Sequence, residues 1–432
     1  MNIDLQKIKK VHFIGIGGVG ISALARLMLH QGKNISGTND STSPETLDGL
    51  RKKGVLISLD QEPKKLPKAD MYVYSDAWLT NNPGILEAAK VTGMPVISYA
   101  EALGLVANDY YVIAVSGAHG KTTTTAMLAK VLIDAGFDPT VIVGSMLKDV
   151  KSNFIGGKSN YFIVEADEYR RHFMYLKPSI LIITNIDDDH LDYYKDINDI
   201  KSAFIELVEK ISPDGYVVCD LEQPHIADIV AKAKCKIVDY ELFGDQNLTL
   251  KVPGEHNLNN AAASLAVADI LEINRKKAEK SLQDFGGTWR RFEYKGKTTW
   301  GAEVYDDYGH HPTEVKATLK GTREVFPHKK ITVIFQPHLY SRTKQHLREF
   351  GKAFGDVDSV VLTPIFAARE SHDSSISSDM LAKEINENHV SAVSFPSIEA
   401  VENHIRSNTS KDEVIITMGA GDVYKLAERL VI

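Results

Sequence analysis

A chain of 432 residues is longer than one compact core supports, so two or three domains are expected. With 43% hydrophobic and 25% charged residues the composition is that of an ordinary globular protein, and the net charge of −7 excludes a general cationic surface for nucleic acid. Two cysteines, Cys219 and Cys235, exclude a disulfide framework and any CxxC metal site, and no apolar segment is long enough to cross a bilayer. A cytoplasmic enzyme acting on small molecules is the expectation.

From the N-terminus, "VHFIGIGGVGISALARLML" follows the basic residues Lys7, Lys9 and Lys10. Lysines ahead of an apolar stretch ending in "SALA" imitate an export signal, but Gly15, Gly17, Gly18 and Gly20 interrupt what should be continuous helix. A strand over 11–14, a glycine turn and a helix over 21–29 explain the letters better. Gly15, Gly17 and Gly20 fit G-x-G-x-x-G, with Asp40 near the end of the next strand. Alone, that pattern favours a dinucleotide and a dehydrogenase.

Apolar runs ("MYVYS", "YVIAVSG", "YFIVEAD", "ILIITNI", "YVVCD", "KITVIF", "SVVLTPI", "EVIITMG") then alternate with amphipathic stretches such as 123–135, 261–271 and 346–354. The alternation predicts α/β architecture with mainly parallel sheets. A fresh strand-loop-helix unit after "YAEALGLVA" and a change of texture at "FGGTWRRFEYKGKTTWGAEVYDDYG" suggest boundaries near Ala107 and Gly287. Three domains follow, 1–107, 108–287 and 288–432.

In the second of these, "VIAVSGAHGKTTTTAMLAKVL" runs a buried strand into a glycine loop, then Lys and Thr, then a helix. Backbone amides of Gly117, Ala118, His119 and Gly120, with those of the helix start at Lys121, Thr122 and Thr123, make an anion site. Lys121 would sit on the β- and γ-phosphates and the Thr122 hydroxyl on Mg²⁺. Val115 stands where the full Walker spacing wants a glycine, so this is a shortened variant. A plain Thr-capped helix is the structural alternative. With an ATP loop present, the first glycine loop could instead hold the pyrophosphate of a nucleotide-linked substrate.

Two acidic clusters end apolar runs: Glu165, Asp167 and Glu168, then Asp187, Asp188 and Asp189 with His190. Mg²⁺ on a triphosphate needs one or two protein oxygens, which makes Glu165 the natural candidate and His190 a less usual partner. Solvated strand ends with helix caps would read the same way. "VPGEHNLNNAAA" sets Asn257 and Asn260 at a helix start, able to cap it or to meet a purine edge or phosphate. "RRFE", "YDDYGHHPTE" and "FQPHLYSRT" gather Arg290, Arg291, Asp306, Asp307, Tyr308, His310, His311, His338 and Arg342. Without a thiol, the adjacent histidines argue for a polar substrate pocket over structural zinc.

Taken in order, "HFIGIGGVGISALA", "VSGAHGKTTTT", "VEADEYRRHF", "TNIDDDHLDYY", "GEHNLNNAAA", "RRFE", "YDDYGHHPTE", "FQPHLYSRT" and "MGAGD" resemble the Mur ligases over essentially the whole chain. The resemblance implies three domains: an N-terminal Rossmann-like domain for UDP, a central P-loop-type ATPase, and a C-terminal Rossmann-like domain. Within the family, "IGIGGVG" and "DDYGHHPTE" are most similar to the branch that joins L-alanine to the lactyl carboxylate of UDP-N-acetylmuramate through an acyl phosphate. It further implies ATP and Mg²⁺, with Mn²⁺ able to substitute, no nucleic-acid or membrane partner, and a monomer or homodimer.

Carried over by position, Lys121 resembles the family's phosphate lysine, Thr122 and Glu165 its first magnesium site, and His190 the second. Asn257 and Asn260 match its H-N-x-x-N segment, and Arg291 and Asp307 its arginine and nucleotide-side acid. Tyr308, His310 and Arg342 match positions close to the muramoyl carboxylate and alanine, with His310 counted among the catalytic set. Gly15, Gly17, Gly18 and Gly20 would then cradle the UDP pyrophosphate and bind no NAD. Three positions depart from the pattern. Leu339 replaces a frequent basic residue and leaves more to Arg342, Asn39 stands for an acid unless Asp40 serves, and Asp76 occupies a place where small hydroxyl residues are common. Rival readings are a recycling ligase that attaches a tripeptide, a noncatalytic nucleotide-binding partner, and an NAD-dependent dehydrogenase.

Overall fold

The computed structural model describes residues 3–40, 44–148, 150–191, 193–245, 247–368 and 370–431. Three sheets follow one another along the chain. The first holds β1 (Lys10–Ile14), β2 (Asn34–Thr38), β3 (Leu56–Ser58), β4 (Met71–Tyr74) and β5 (Val96–Ser98) in the order β3-β2-β1-β4-β5. All its pairings are parallel. The strand order reverses between β1 and β4, where an open α/β sheet leaves a crevice for ligand at the carboxyl ends of its strands.

The second sheet is built from β6 (Tyr111–Ser116), β7 (Thr140–Leu147), β8 (Ser152–Ile155), β9 (Tyr161–Glu165), β10 (Ile180–Ile183), β11 (Tyr216–Cys219) and β12 (Lys236–Asp239). Its order is β12-β11-β10-β6-β9-β7-β8, with only the β7–β8 pair antiparallel. Val112 to Val115 and Ile180 to Ile183 are wholly buried, as strands covered by helices on both faces must be. The third sheet contains β13 (Glu293–Lys297), β14 (Glu303–Asp307), β15 (Lys330–Phe335), β16 (Ser359–Leu362), β17 (Ser391–Ser394) and β18 (Glu413–Met418) in the order β13-β14-β18-β15-β16-β17. Here β13 pairs antiparallel with β14 and the remaining strands run parallel.

By compactness the chain divides into two units, Met1–Thr249 with Asn259–Phe285, and Leu250–Leu258 with Gly286–Ile432. The first two sheets share one unit because one apolar core runs through both. Phe13, Leu24 and Leu27 of the first belong to the same cluster as Val112, Phe162 and Leu181 of the second, with Leu103, Val106 and Ala107 among them. Helices start earlier than periodicity suggests, at Val19 and at Lys121, because Gly18 and Gly120 serve as their N-caps. The single helix expected over 346–354 is instead two short ones, Tyr340–Gln345 and Leu347–Gly351, separated by the non-helical backbone of His346.

His12, in the middle of β1, is 1% exposed, and its Nδ1 lies 2.9 Å from Ser36 Oγ. Burial pushes its imidazole down from 6.5 to about 4. The unfolded chain therefore takes up this proton first, so the stability tied to the neutral ring is complete above 6.5 and is lost as the pH falls through about 4. His12→Gln should lose less stability than the parent over that interval, by at most about 3 kcal/mol. Urea unfolding at pH 7, 5 and 4 measures the difference; parallel curves for both proteins would refute it.

Candidate active site

At the end of β1 the chain turns through Gly15–Gly18 into the helix Val19–His30. The amides of Gly15 and Ile16 donate to Thr38 O at 2.8 and 3.1 Å, and Gly18 N to Gly15 O at 3.3 Å. Gly17 is fixed from both sides: its N–H donates to Asn39 Oδ1 at 3.0 Å, and its carbonyl accepts from Thr46 Oγ1 at 2.8 Å. Asn39, read as a departure from the family's acid, is therefore the clamp of the loop. The helical ladder begins with Ser22 N to Gly18 O, so the amides of Val19, Gly20 and Ile21 precede it in the first turn, as at any helix start able to receive an anion. Gly15, Gly17 and Gly18 shape the turn, and Gly20 lies against the Tyr99 ring.

The second loop follows β6. Gly117 and Gly120 hold φ of 127° and 84°, a region that side chains rarely adopt, and a Cβ on Gly120 would lie 2.5 Å from Asn260 Oδ1. That same oxygen accepts from Thr124 Oγ1 at 3.0 Å. Residues straight after β10 carry the loop: Ala118 N donates to Asn185 O, His119 N to Asn185 Oδ1, and Thr184 Oγ1 to His119 O. His119 Nε2 lies 2.9 Å from Asp187 Oδ2. Lys121 bends its amine back onto Gly117 O at 2.5 Å, Ala118 O at 3.2 Å and Glu168 Oε1 at 2.8 Å. Burial works to lower this amine, but Glu168, Asp167 and Glu165 together outweigh it and raise it above its ordinary value.

Carboxylates come from the end of β9. Glu165 Oε1 accepts from Thr122 Oγ1 at 3.0 Å, and its Oε2 from Gly144 N at 2.7 Å. His190 groups with Asp167 and Glu168, one ligand atom from each lying within 4.8 Å of the others. Burial lifts Glu168 above the ordinary carboxyl range, with Lys121 opposing. Its Oε2 is buried without a hydrogen-bond partner. An oxygen-rich donor set with one unsatisfied buried carboxylate oxygen fits a hard divalent cation beside phosphates. Glu168 was legible only as one acid of a cluster; its pairing with Lys121 had no local signature. Thr184 and Asn185 were also passed over, though polar residues at the end of a strand next to β6 are their signal. Thr123 lies in the first turn of the helix Lys121–Ala135 and is buried.

His172, which no spacing argument singled out, places its Nε2 2.9 Å from Asp76 Oδ2 and its Nδ1 3.8 Å from Asp167 Oδ2. Burial works against its charge, yet the two carboxylates lift the ring to about 9.

In the second unit, the two adjacent arginines separate sharply. Arg290 is 2% exposed, paired with Asp306 at 2.9 Å, and donates to Gly421 O at 2.9 Å and to Gly419 O. Arg291 stays a quarter exposed, its guanidinium 5.1 Å from the Tyr308 ring centre and 3.7 Å from Glu314. Asp307 accepts from Phe292 N and Gly309 N, both at 2.8 Å, and so sets the turn out of β14. His310 Nδ1 lies 3.2 Å from Tyr308 O and 3.3 Å from Glu314 Oε2. The His310 and His338 rings meet edge-on at 5.8 Å, and Arg342 Nη1 is 3.3 Å from His338 Nδ1. Tyr308, His310, Arg291 and Arg342 thus gather around β14 and the loop after β15. Leu339 carries φ 69° there and caps the helix that bears Arg342. Asn257 donates to Pro253 O at 2.7 Å.

A glycine loop closed by Lys-Thr between a buried parallel strand and a helix, with carboxylates from the next strand, defines a nucleotide-binding α/β enzyme. Family models agree in order along the chain: "Mur ligase family, catalytic domain" matches residues 10–111, "Mur ligase middle domain" 115–249, and "Mur ligase, glutamate ligase domain" 290–421. The chain belongs to the Mur ligase family. It is 39% identical to the UDP-N-acetylmuramate–L-alanine ligase of Clostridium acetobutylicum, with 99% of each chain covered. Its identity to the enzyme of the same name from Acetivibrio thermocellus is 38%, covering 99% of this chain and 96% of that one. The solved UDP-N-acetylmuramate-alanine ligase of Thermotoga maritima superposes with a TM-score of 0.81 at 29% identity over 98% of both chains. A murein peptide ligase from Psychrobacter arcticus shares the fold, with a TM-score of 0.72 at 23% identity over 98% of both.

The two arginines should answer mutation differently. Arg290→Ala leaves Asp306 buried without its counter-charge and should cost about 3–5 kcal/mol of stability. Arg291 is a quarter exposed, and Arg291→Ala should cost less than about 1 kcal/mol. Chemical denaturation separates the two; equal destabilisation by both variants would contradict the difference in their burial.

Proposed function

We propose that this protein joins L-alanine to the lactyl carboxylate of UDP-N-acetylmuramate at the expense of ATP, within peptidoglycan precursor synthesis in the cytoplasm. The observation that carries this reading is the presence of two phosphate loops of different kind in one compact unit, Gly15–Gly20 and Gly117–Thr122. Full-length identity to ligases of that name supports it over the tripeptide-attaching alternative. The division of labour follows the three sheets: 1–107 for the sugar nucleotide, 108–287 for ATP, and 288–432 for amino acid and nucleotide contacts.

In this reading the helix amides at Val19–Ile21 take the UDP pyrophosphate, and Lys121 with the amides at Gly117–Thr123 takes the triphosphate. Thr122 and Glu165 are the residues that would hold one Mg²⁺, and His190 with Asp167 and Glu168 a second. A metal bound there would neutralise charge on the triphosphate oxygens. The lactyl carboxylate accepts the γ-phosphoryl group, giving an acyl phosphate and ADP; alanine's neutral amine then attacks the carbonyl and phosphate leaves. Lys121 follows the charge that develops during phosphoryl transfer. Asn257, Asn260, Arg291 and Asp307 are assigned to the nucleotide. Tyr308, His310 and Arg342 are assigned to the carboxylates of the muramoyl group and alanine, where oriented donors stabilise the tetrahedral oxyanion.

Phosphate release with ATP, Mg²⁺ and UDP-N-acetylmuramate should require L-alanine, and the amide product should appear by mass spectrometry. Lys121→Ala should lower kcat by about 10²–10³-fold. Release with the tripeptide but not with alanine would move the protein to the recycling reaction.

A further inference from the structure

Asp76 follows β4 at the point where the strand order of the first sheet reverses, beside the glycine loop, whose Gly15 packs on Ser75 and Trp78. Its side chain is 20% exposed, and its Oδ2 is held by His172 Nε2 at 2.9 Å and approached by Arg170 Nη1 at 3.6 Å. The other ring nitrogen of His172 faces Asp167 Oδ2 at 3.8 Å, an ion-pair distance. His172 thus spans from the loop after β4 to the loop after β9, where Asp167 stands with Glu168 and His190.

The segment that carries His172 is strained. Arg170 and Arg171 both take left-handed backbone, φ 50° and 58°, which side chains occupy only when their surroundings enforce it. Two restraints enforce it. Arg171 reaches Asp199 at 3.3 Å and Glu206 at 2.9 Å on the helix Ile197–Glu209, and His172 is tied to Asp76. Within the turn, Tyr169 N donates to Asp167 Oδ1, Arg171 N to Glu168 O and Phe173 N to Asp167 O. These bonds tie the turn directly to the two carboxylate-bearing residues Asp167 and Glu168.

We propose that His172 is a positioning residue, a splint between Asp76 at the first phosphate loop and Asp167, and that it holds the Asp167–Glu168 pair in the geometry needed at the second loop. The identity of the two ligands, though not the splint, rests on the function proposed above. The splint explains why an acid can stand at position 76, where family members commonly have a small hydroxyl residue: its charge is answered by His172 and Arg170.

Two measurements test this. In the ligand-free protein, Asp76→Ala and His172→Leu should each speed amide exchange at Tyr169, Arg171 and Phe173 at least tenfold. The double variant should be no faster than either single one, because both cut the same bridge. Unchanged or additive exchange would overturn the splint, whatever the substrates are. In turnover, both variants should lower kcat tenfold or more while the KM for ATP stays within twofold, and Asp76→Asn, which keeps an acceptor oxygen for His172, should retain most of kcat. A rise in the KM for sugar nucleotide with kcat unchanged would make Asp76 a substrate contact and overturn the proposal. Variants that exchange as expected, in a protein whose parent releases no phosphate with either alanine or the tripeptide, would count against the function and leave the splint standing.

Discussion

A lysine ammonium enclosed by a glycine loop has to be answered by a negative charge, and in this protein Glu168 answers it. The pair is 13% and 4% exposed, so neither member has much water to fall back on. Much of the second site follows from that need. β9 must end where Glu165 meets Thr122 and Gly144, and three residues later the chain must return Glu168 to the Lys121 amine. The sharp left-handed turn at Arg170 and Arg171 lies immediately beyond. Glu168 stands at the same time beside Asp167 and His190, so the one acid that answers the lysine also belongs to the second group of polar side chains.

The fold was legible wherever burial is two-sided. Interior strands such as β6 and β10 are almost wholly apolar because helices cover both faces, and the glycine-lysine-threonine junction marks the strand-to-helix turn directly. Short edge strands left no such mark. β3 is three residues long with Leu56 exposed, and β17 buries only Ala392. Nor could periodicity show that the first two sheets share an apolar core, since that depends on which residues of the segment up to Ala107 face inward against both.

The site was legible as residue types and illegible as partnerships. Lys121, Thr122, Glu165 and His190 stand out because chemistry restricts them to a few local patterns. Their supports do not. Asn39 clamps Gly17 across 22 residues, Glu168 meets Lys121 across 47, and His172 meets Asp76 across 96. Side-chain type alone reads Asn39 as a lost acid and Asp76 as an irregularity; both are polar anchors whose partners lie in the turns after other strands, Gly17 after β1 and His172 after β9. The "RRFE" arginines make the same point at closest range. Two adjacent identical residues have opposite fates because Arg290 takes a left-handed backbone, φ 58°, and turns into the interior toward Asp306.

Both glycine loops obey one construction rule and differ in what opens the helix that follows. Each leaves the carboxyl end of a central parallel strand, and each is braced by polar groups at the end of the neighbouring strand: Thr38 and Asn39 after β2, Thr184 and Asn185 after β10. In the first loop the brace consumes the Gly17 amide, leaving the neutral first-turn amides of a helix, which suit the modest charge of a diphosphate ester. In the second, the brace engages Ala118 and His119 and the helix opens with an ammonium and a hydroxyl at Lys121 and Thr122. That ammonium is answered in place by Glu168, so the second loop carries a charged pair where the first offers backbone amides. The same strand-to-helix turn is thus built twice, once with bare amides and once with a lysine–carboxylate pair at the helix start.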